Sequence, residues 1–587
     1  MKRSASRWLL VGGAAAGLSA VGWYALGPAP SPPALQLPAS PPAADQPTPR
    51  FSDLLAAAEN RARDPRTARE GLAELGRLYH ANGFLAEAEF CWQRLQELEP
   101  AEARWVYLQA DVRHTAGDPE AFEALLRRTV ELAPDYATAW LKLADLTFKT
   151  GRSDEARQHY QTRLQLLPGD PYARLGQARI LRQQGQTEEA AQVIADLVRD
   201  HPDFPPAHNL YAEQLAAQGD QAGARRHRWL GRESGRFREA EDPWLNELTA
   251  WCYDPQRLAV LGTAEFQLSR GDRGRTLIER AVRIAPQDAS TQELLGDLYL
   301  KLAEPALARE SLQTALRLYL ERGGDPPVQL YTRLVEAWNA LGQPQEALRM
   351  IEQGLAQIGE RHELLRSRGV ILEGLGRRAE AEAALRAAVA IEPLDPDANF
   401  DLAIVLLQAD RRAEATRYLQ AALVRQPTFP KALSLLAQLA LDAGQIDDAG
   451  NYVRPLYDAN PGEPAVQALT AYWHLESGLA AAQNGEVDTA ERHFREGLEA
   501  ENDNVDLLIS LGNLLVTQQR AVEAETPLQT YRRLRPQEAQ GALLLAEAWL
   551  QRGRGAEARD LLVEAERLAT RAGQTRLANR SRELLAR

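Results

Sequence analysis

At 587 residues the chain is longer than one hydrophobic core supports, and with 45% apolar and 25% charged residues it is not a disordered polymer. A formal net charge of −13 argues against a nucleic-acid-binding surface, which needs a basic face to neutralise phosphates. The two cysteines, Cys91 and Cys252, lie far apart in sequence and read as small apolar packing residues rather than as a disulfide.

Lys2, Arg3 and Arg7 precede residues 8–26, a run of nineteen without charge. As a helix it would be about 28 Å long, close to the roughly 30 Å of a bilayer core. Trp8, Trp23 and Tyr24 stand where the two interfaces would fall. Residues 1–26 therefore read as a transmembrane signal-anchor. The alternative is a signal helix cleaved to leave a secreted or periplasmic chain, but Pro28 and Pro30 follow the two small-residue cut sites. The basic flank places the N-terminus inside, making the chain single-pass with everything after it outside the cytoplasm. Residues 27–50 hold nine prolines and predict an extended spacer reaching about 70 Å. A short leading helix is expected over 51–64.

A repeat begins beyond it. Pro100, Pro134, Pro168 and Pro202 are spaced by 34 residues, as are Pro393, Pro427 and Pro461. With the proline at position 32, fourteen units start at 69, 103, 137, 171, 205, 255, 289, 328, 362, 396, 430, 471, 505 and 539. Position 8 is Gly or Ala in thirteen of them, position 20 is Ala in twelve, and position 15 is Gly in ten. Small residues at 8 and 20 let two antiparallel helices approach. Glycine at 15 suits a left-handed C-cap, and proline at 32 ends the second helix. Leu72, Leu75, Gly76, Tyr79, Gly83, Ala88, Trp92 and Pro100 resemble the tetratricopeptide-repeat (TPR) signature, as do Trp140, Leu143, Ala144, Gly151, Ala156, Tyr160 and Pro168.

The resemblance implies an all-α, right-handed α-α superhelix, a TPR solenoid. It predicts an N-terminal array over 51–238, an aromatic insertion at 239–254, a C-terminal array over 255–572 and a capping helix at 573–587. Interruptions at 239–254, 323–327 and 464–470 are expected to hinge the array or shift its phase. Phe122, at an alanine position, is expected to displace its helix.

No HExxH, CxxC, phosphate-binding glycine loop or GxSxG occurs, and no two of the nine histidines stand at i, i+4. The chain is accordingly read as non-catalytic, with no cofactor and no metal. What the TPR resemblance implies is a protein or peptide partner held in the concave groove of the first helices, with no nucleic acid, and membrane contact through the N-terminal helix only. The positions of the chaperone carboxylate clamp and of the asparagine ladder carry other residues. Position 9 of the first five units is charged throughout, at Arg77, Asp111, Asp145, Arg179 and Glu213, with Tyr107, Phe148 and Tyr172 in nearby groove columns. These residues are one candidate partner site; Trp244 and Trp251 of the insertion are another. The function expected is a membrane-tethered, extracytoplasmic scaffold. The alternative is an accessory subunit of an envelope enzyme or of an exopolysaccharide synthesis or export system.

Overall fold

The computed structural model describes residues 37–42, 46–233, 240–267 and 270–586. The expected membrane segment 8–26 lies outside them, and no described helix is long and apolar enough to cross a membrane. The described residues form thirty-one α-helices and one 3-10 turn, with no strand. They fall into two compact units. One contains the chain up to Gln184 with 239–264 and 276–286; the other contains 185–238, 265–275 and 287–587.

Within each unit the repeats are helix pairs, such as Ala137–Lys149 with Ser153–Leu166. The small columns lie where the helices of a pair meet. A Cβ on Gly512 would come within 2.4 Å of Leu528, and one on Gly478 within 2.4 Å of the Phe494 ring. Position 8 thus faces position 24 of the same repeat. Position 15 takes the left-handed conformation wherever it is described: its ten glycines do so, and so do Ala303, Asp410 and Gln519 at φ of 57–58°. Those three are the only non-glycine residues with positive φ among the described residues, so the backbone of the turn is imposed even where the residue resists it.

Two further side-chain devices recur. A donor at position 4 of the first helix reaches back to the carbonyl of the proline that ended the preceding helix: Trp140 to Pro134 (2.9 Å), His208 to Pro202 (2.8 Å) and Asn399 to Pro393 (2.9 Å). Consecutive second helices are joined by squares of ion pairs. Arg152 grips Glu123 with two bonds of 2.6 Å, while Arg127 bonds both Glu123 and Glu155. The same four columns, 21 and 25 of one repeat and 16 and 19 of the next, recur as Glu382, Arg386, Arg411 and Glu414, and as Glu491, Arg495, Arg520 and Glu523. The arginine hydrogen bonds hold the pKa of Glu123 down to about 2.

Some expectations need correction, while others, such as the unpaired packing role of both cysteines, agree with the structure. Residues 464–470 are not a break: Pro464–Gln483 is one 20-residue helix. The seven added residues make about two helical turns, so the packing face keeps its register. Part of the expected spacer lies on the fold, with Pro41 buried and Leu37 against the core formed by Phe51, Leu72 and their neighbours. The leading helix starts at Pro49, capped by Thr48. Phe122 is buried, its ring 4.6 Å from that of His114, in a repeat whose helices pack as the others do. The terminal helix Thr575–Leu585 sets Ala578 and Leu584 into the preceding core. Both cysteines are buried free thiols.

Candidate functional site

Part of the first candidate site and the second come together. Residues 240–254 lie across the first helices of the repeats starting at 137, 103 and 69, in that reverse order. The face they cover is the one expected to hold a partner. Asp242 caps the short helix Pro243–Leu248, and the turn Thr249–Trp251 follows.

Asp242 is the anchor. Its carboxylate accepts from the hydroxyls of Tyr107 (2.5 Å) and Tyr136 (2.7 Å) and pairs with Lys142 (2.8 Å). Burial and the adjacent carboxylate push both phenols above their ordinary range, which keeps them as O–H donors. Thr138 donates to the Glu241 carbonyl. Trp244 stacks on Tyr136 with ring centres 3.6 Å apart and meets Tyr107 edge-on at 5.4 Å. At the other end, Asn82 reads backbone: its amide donates to the Trp251 carbonyl (2.9 Å) and its oxygen accepts from Tyr253 N (2.7 Å) and Asp254 N (3.1 Å). Arg77 lies over both Trp105 and Trp251. Arg280 closes the turn with bonds of 2.7 Å to the carbonyls of Thr249 and Ala250.

The structure thus brings together Arg77, Tyr107, Trp244 and Trp251, with Asp111 beside them, bonded to His80 at 3.2 Å. Tyr107 is not a free anchor as the sequence suggested; it is 1% exposed because the chain's own segment covers it. Burial raises Asp145, which accepts from Tyr160 (2.5 Å) and so faces the repeat core. Phe148 and Tyr172 pack with Ala240 against that same core. Arg179 is exposed, and Glu213 belongs to the other compact unit. Asn82, Tyr136, Thr138 and Lys142 escaped the sequence reading. Asn82 ends one first helix and Tyr136 stands at the N-cap of another, both outside the groove columns, and nothing marks them until the segment is seen to dock.

In the second unit, the first helices from 362 onward leave apolar side chains uncovered: Val370, Tyr472 and Leu479 are 37–49% exposed. Charges stand among them, with Arg366 on Asp401 (2.7 Å) and Lys431 near both Asp397 and the Phe400 ring. His474, His493 and Glu496 also converge here, although no metal-ligand spacing marks them in the sequence.

Among the described residues, neither region assembles a nucleophile, a base and an orienting group. What the geometry does is hold polypeptide. A tetratricopeptide repeat model matches residues 73–136, 120–171, 259–322, 339–399, 475–539 and 509–572, more than half the chain. A second matches 154–213, 372–439 and 406–472, and a third 205–228. Among solved structures, PilW, a type IV pilus biogenesis factor, is 20% identical with a TM-score of 0.32, covering 37% of this chain and 97% of its own. TTC0263, a thermophilic TPR protein of Thermus thermophilus, is 27% identical with a TM-score of 0.26, covering 33% and 98%. YrrB, a TPR protein with an unusual peptide-binding site, is 20% identical with a TM-score of 0.25, covering 31% and 91%. No curated protein matches the chain. With its repeats paired as described and the family model spread along them, this chain belongs to the tetratricopeptide repeat family.

Proposed function

We propose that this protein is a non-catalytic scaffold that holds protein partners on the face made by its first helices. The observation that carries this reading is the docked segment 240–254. Three repeats recognise it by phenol and ammonium donors to its Asp242 carboxylate, by stacked aromatics and by an asparagine on its backbone, the means by which a repeat groove binds a peptide. Because that stretch is already covered, the partner is assigned to the first helices of the repeats between 362 and 483. There Val370, Tyr472 and Leu479 supply apolar contact, and Arg366, Asp397 and Lys431 supply charge for selectivity.

A photo-crosslinking amino acid placed at 370 or at 479 should capture the same discrete species. Placed at Val424, an exposed residue of a second helix, it should capture none. Capture from 424 alone, or from no site, would sink the assignment.

We further propose that residues 8–26 tether the scaffold to a membrane with the repeats outside the cytoplasm. The support is the basic flank of Lys2, Arg3 and Arg7 before an uncharged span. A reporter fused after Arg587 should be active only outside the cytoplasm; activity inside reverses the orientation. A role as accessory subunit of an envelope enzyme or polymer-export system is compatible with the same tether.

A further inference from the structure

The repeat columns place two histidine pairs in the same relation. His208 and His227 occupy positions 4 and 23 of one repeat, and His474 and His493 occupy positions 4 and 23 of another. Both pairs bring Nδ1 to Nδ1, at 2.9 Å and 3.1 Å. Each pair therefore needs something between its nitrogens, because two lone pairs at that distance repel.

For the first pair a proton suffices. His208 Nε2 lies 2.8 Å from the Pro202 carbonyl, which only accepts, so Nε2 carries the proton and Nδ1 a lone pair. His227 Nδ1–H then donates to it. The residue at position 26, one turn beyond His227, is Leu230.

The second pair differs at both points. The residue six before His474 is Ala468, inside the helix Pro464–Gln483, where its carbonyl belongs to the helical ladder. The lengthened helix has removed the carbonyl that fixes the tautomer of His208. At position 26 stands Glu496, its carboxylate 3.6 Å from His474 Nδ1. One ligand atom from each of His474, His493 and Glu496 lies within 4.8 Å of the others. Two nitrogens at about 2.0–2.1 Å from one tetrahedral ion stand roughly 3.3 Å apart, close to the spacing observed.

We propose that His474, His493 and Glu496 form a divalent-metal site of the zinc type, with water in the fourth position. Both imidazoles are 8% exposed. The Trp473 ring, 4.5 Å from His474, walls the site, and the Cβ that Gly497 lacks would lie 3.0 Å from His474, so the two helices close tightly here. The partly exposed Glu496 leaves an entrance from solvent. The cations nearby choose among metals. Arg454 lies over Trp473, and Arg492 stands 3.8 Å from the other Glu496 oxygen. Their charge opposes an ion held by field alone, such as Ca²⁺ or Mg²⁺. An ion bound through imidazole nitrogen, such as Zn²⁺, gains enough from the ligands to offset it. Bound there, it would pin the lengthened first helix to its partner, Val487–Ala500.

The test is calorimetric titration of the metal-stripped full chain with Zn²⁺, with Co²⁺ absorption as the readout of geometry. One equivalent should bind, giving the intense visible bands of tetrahedral Co²⁺. Glu496→Gln should weaken binding at least tenfold, and His493→Ala should abolish it. His227→Ala, in the proton-bridged pair, should leave the stoichiometry at one. Because Glu496 is near the surface, its variant is expected to fold, and circular dichroism would verify this. No stoichiometric binding by the unaltered chain, or binding unchanged in both Glu496→Gln and His493→Ala, overturns the proposal.

Discussion

Replacing Asp242 by alanine is expected to destabilise the N-terminal compact unit by about 3 kcal/mol, the scale for removing one partner from a buried charge cluster. The side chain is 12% exposed and serves Tyr107, Tyr136 and Lys142 together. Its loss leaves two phenol hydroxyls without their carboxylate acceptor, and Lys142 keeps as an ion-pair partner the more distant Asp111, at 3.9 Å. Trp244 stacks on one of those phenols, so segment 240–254 should come away and expose Tyr107. Hydrogen exchange on the full chain would follow this as faster exchange in the helices Ala68–Asn82, Ala103–Thr115 and Ala137–Lys149 and in 243–251. Asp242→Asn keeps an acceptor and loses the charge, so its effect should be intermediate. Unchanged protection across these helices in the alanine variant would show that the segment is not held as described.

Trp92→Ala should cost more, about 3–5 kcal/mol. Trp92 is fully buried, lies parallel to Trp105 at 5.6 Å, and fills the space that Gly76 leaves open, where a Cβ would come within 2.7 Å of its ring. Deleting it opens a cavity between rigid helices that cannot collapse onto it. Each repeat touches only its neighbours, so the damage should stay local. Exchange should accelerate between 49 and 132 and remain unaltered in the repeats from 362 to 571. A uniform loss of protection along the chain would contradict this picture of local coupling.

The features legible in the sequence are those that a single repeat dictates. Position 15 was readable because ten glycines reveal the backbone; Ala303, Asp410 and Gln519 adopt the same φ without advertising it. The close approach at positions 8 and 20 was readable because small residues recur there, even though Phe122 fits at position 20 without displacing its helix. Docking of 240–254 was not, because Asp242 meets Tyr107 across 135 residues of sequence. Its aromatic content marked the insertion as unusual without saying what it covers. Residues 464–470 looked like an interruption because a strict 34-residue frame cannot distinguish a loop from two added turns. The histidine pairs were invisible to ligand spacings, which compare neighbours along one helix. Positions 4 and 23 lie on two helices and meet only once those helices pair.

The ion-pair squares divide unevenly between neighbours. The earlier repeat always contributes glutamate at 21 and arginine at 25, and the later one arginine at 16 and glutamate at 19. Every such junction therefore has one polarity and the same two mating edges. A gene cut at any two of the three junctions and rejoined would bring matching edges together and leave every charge of the squares paired, although pairs between first helices, such as Arg366 with Asp401, would be parted. Duplication, deletion or exchange of the intervening stretch would then yield a chain whose seams are already complementary. Arrays of this kind can change length in evolution, or in the laboratory, by recombination at those seams, with no compensating mutation needed within the squares.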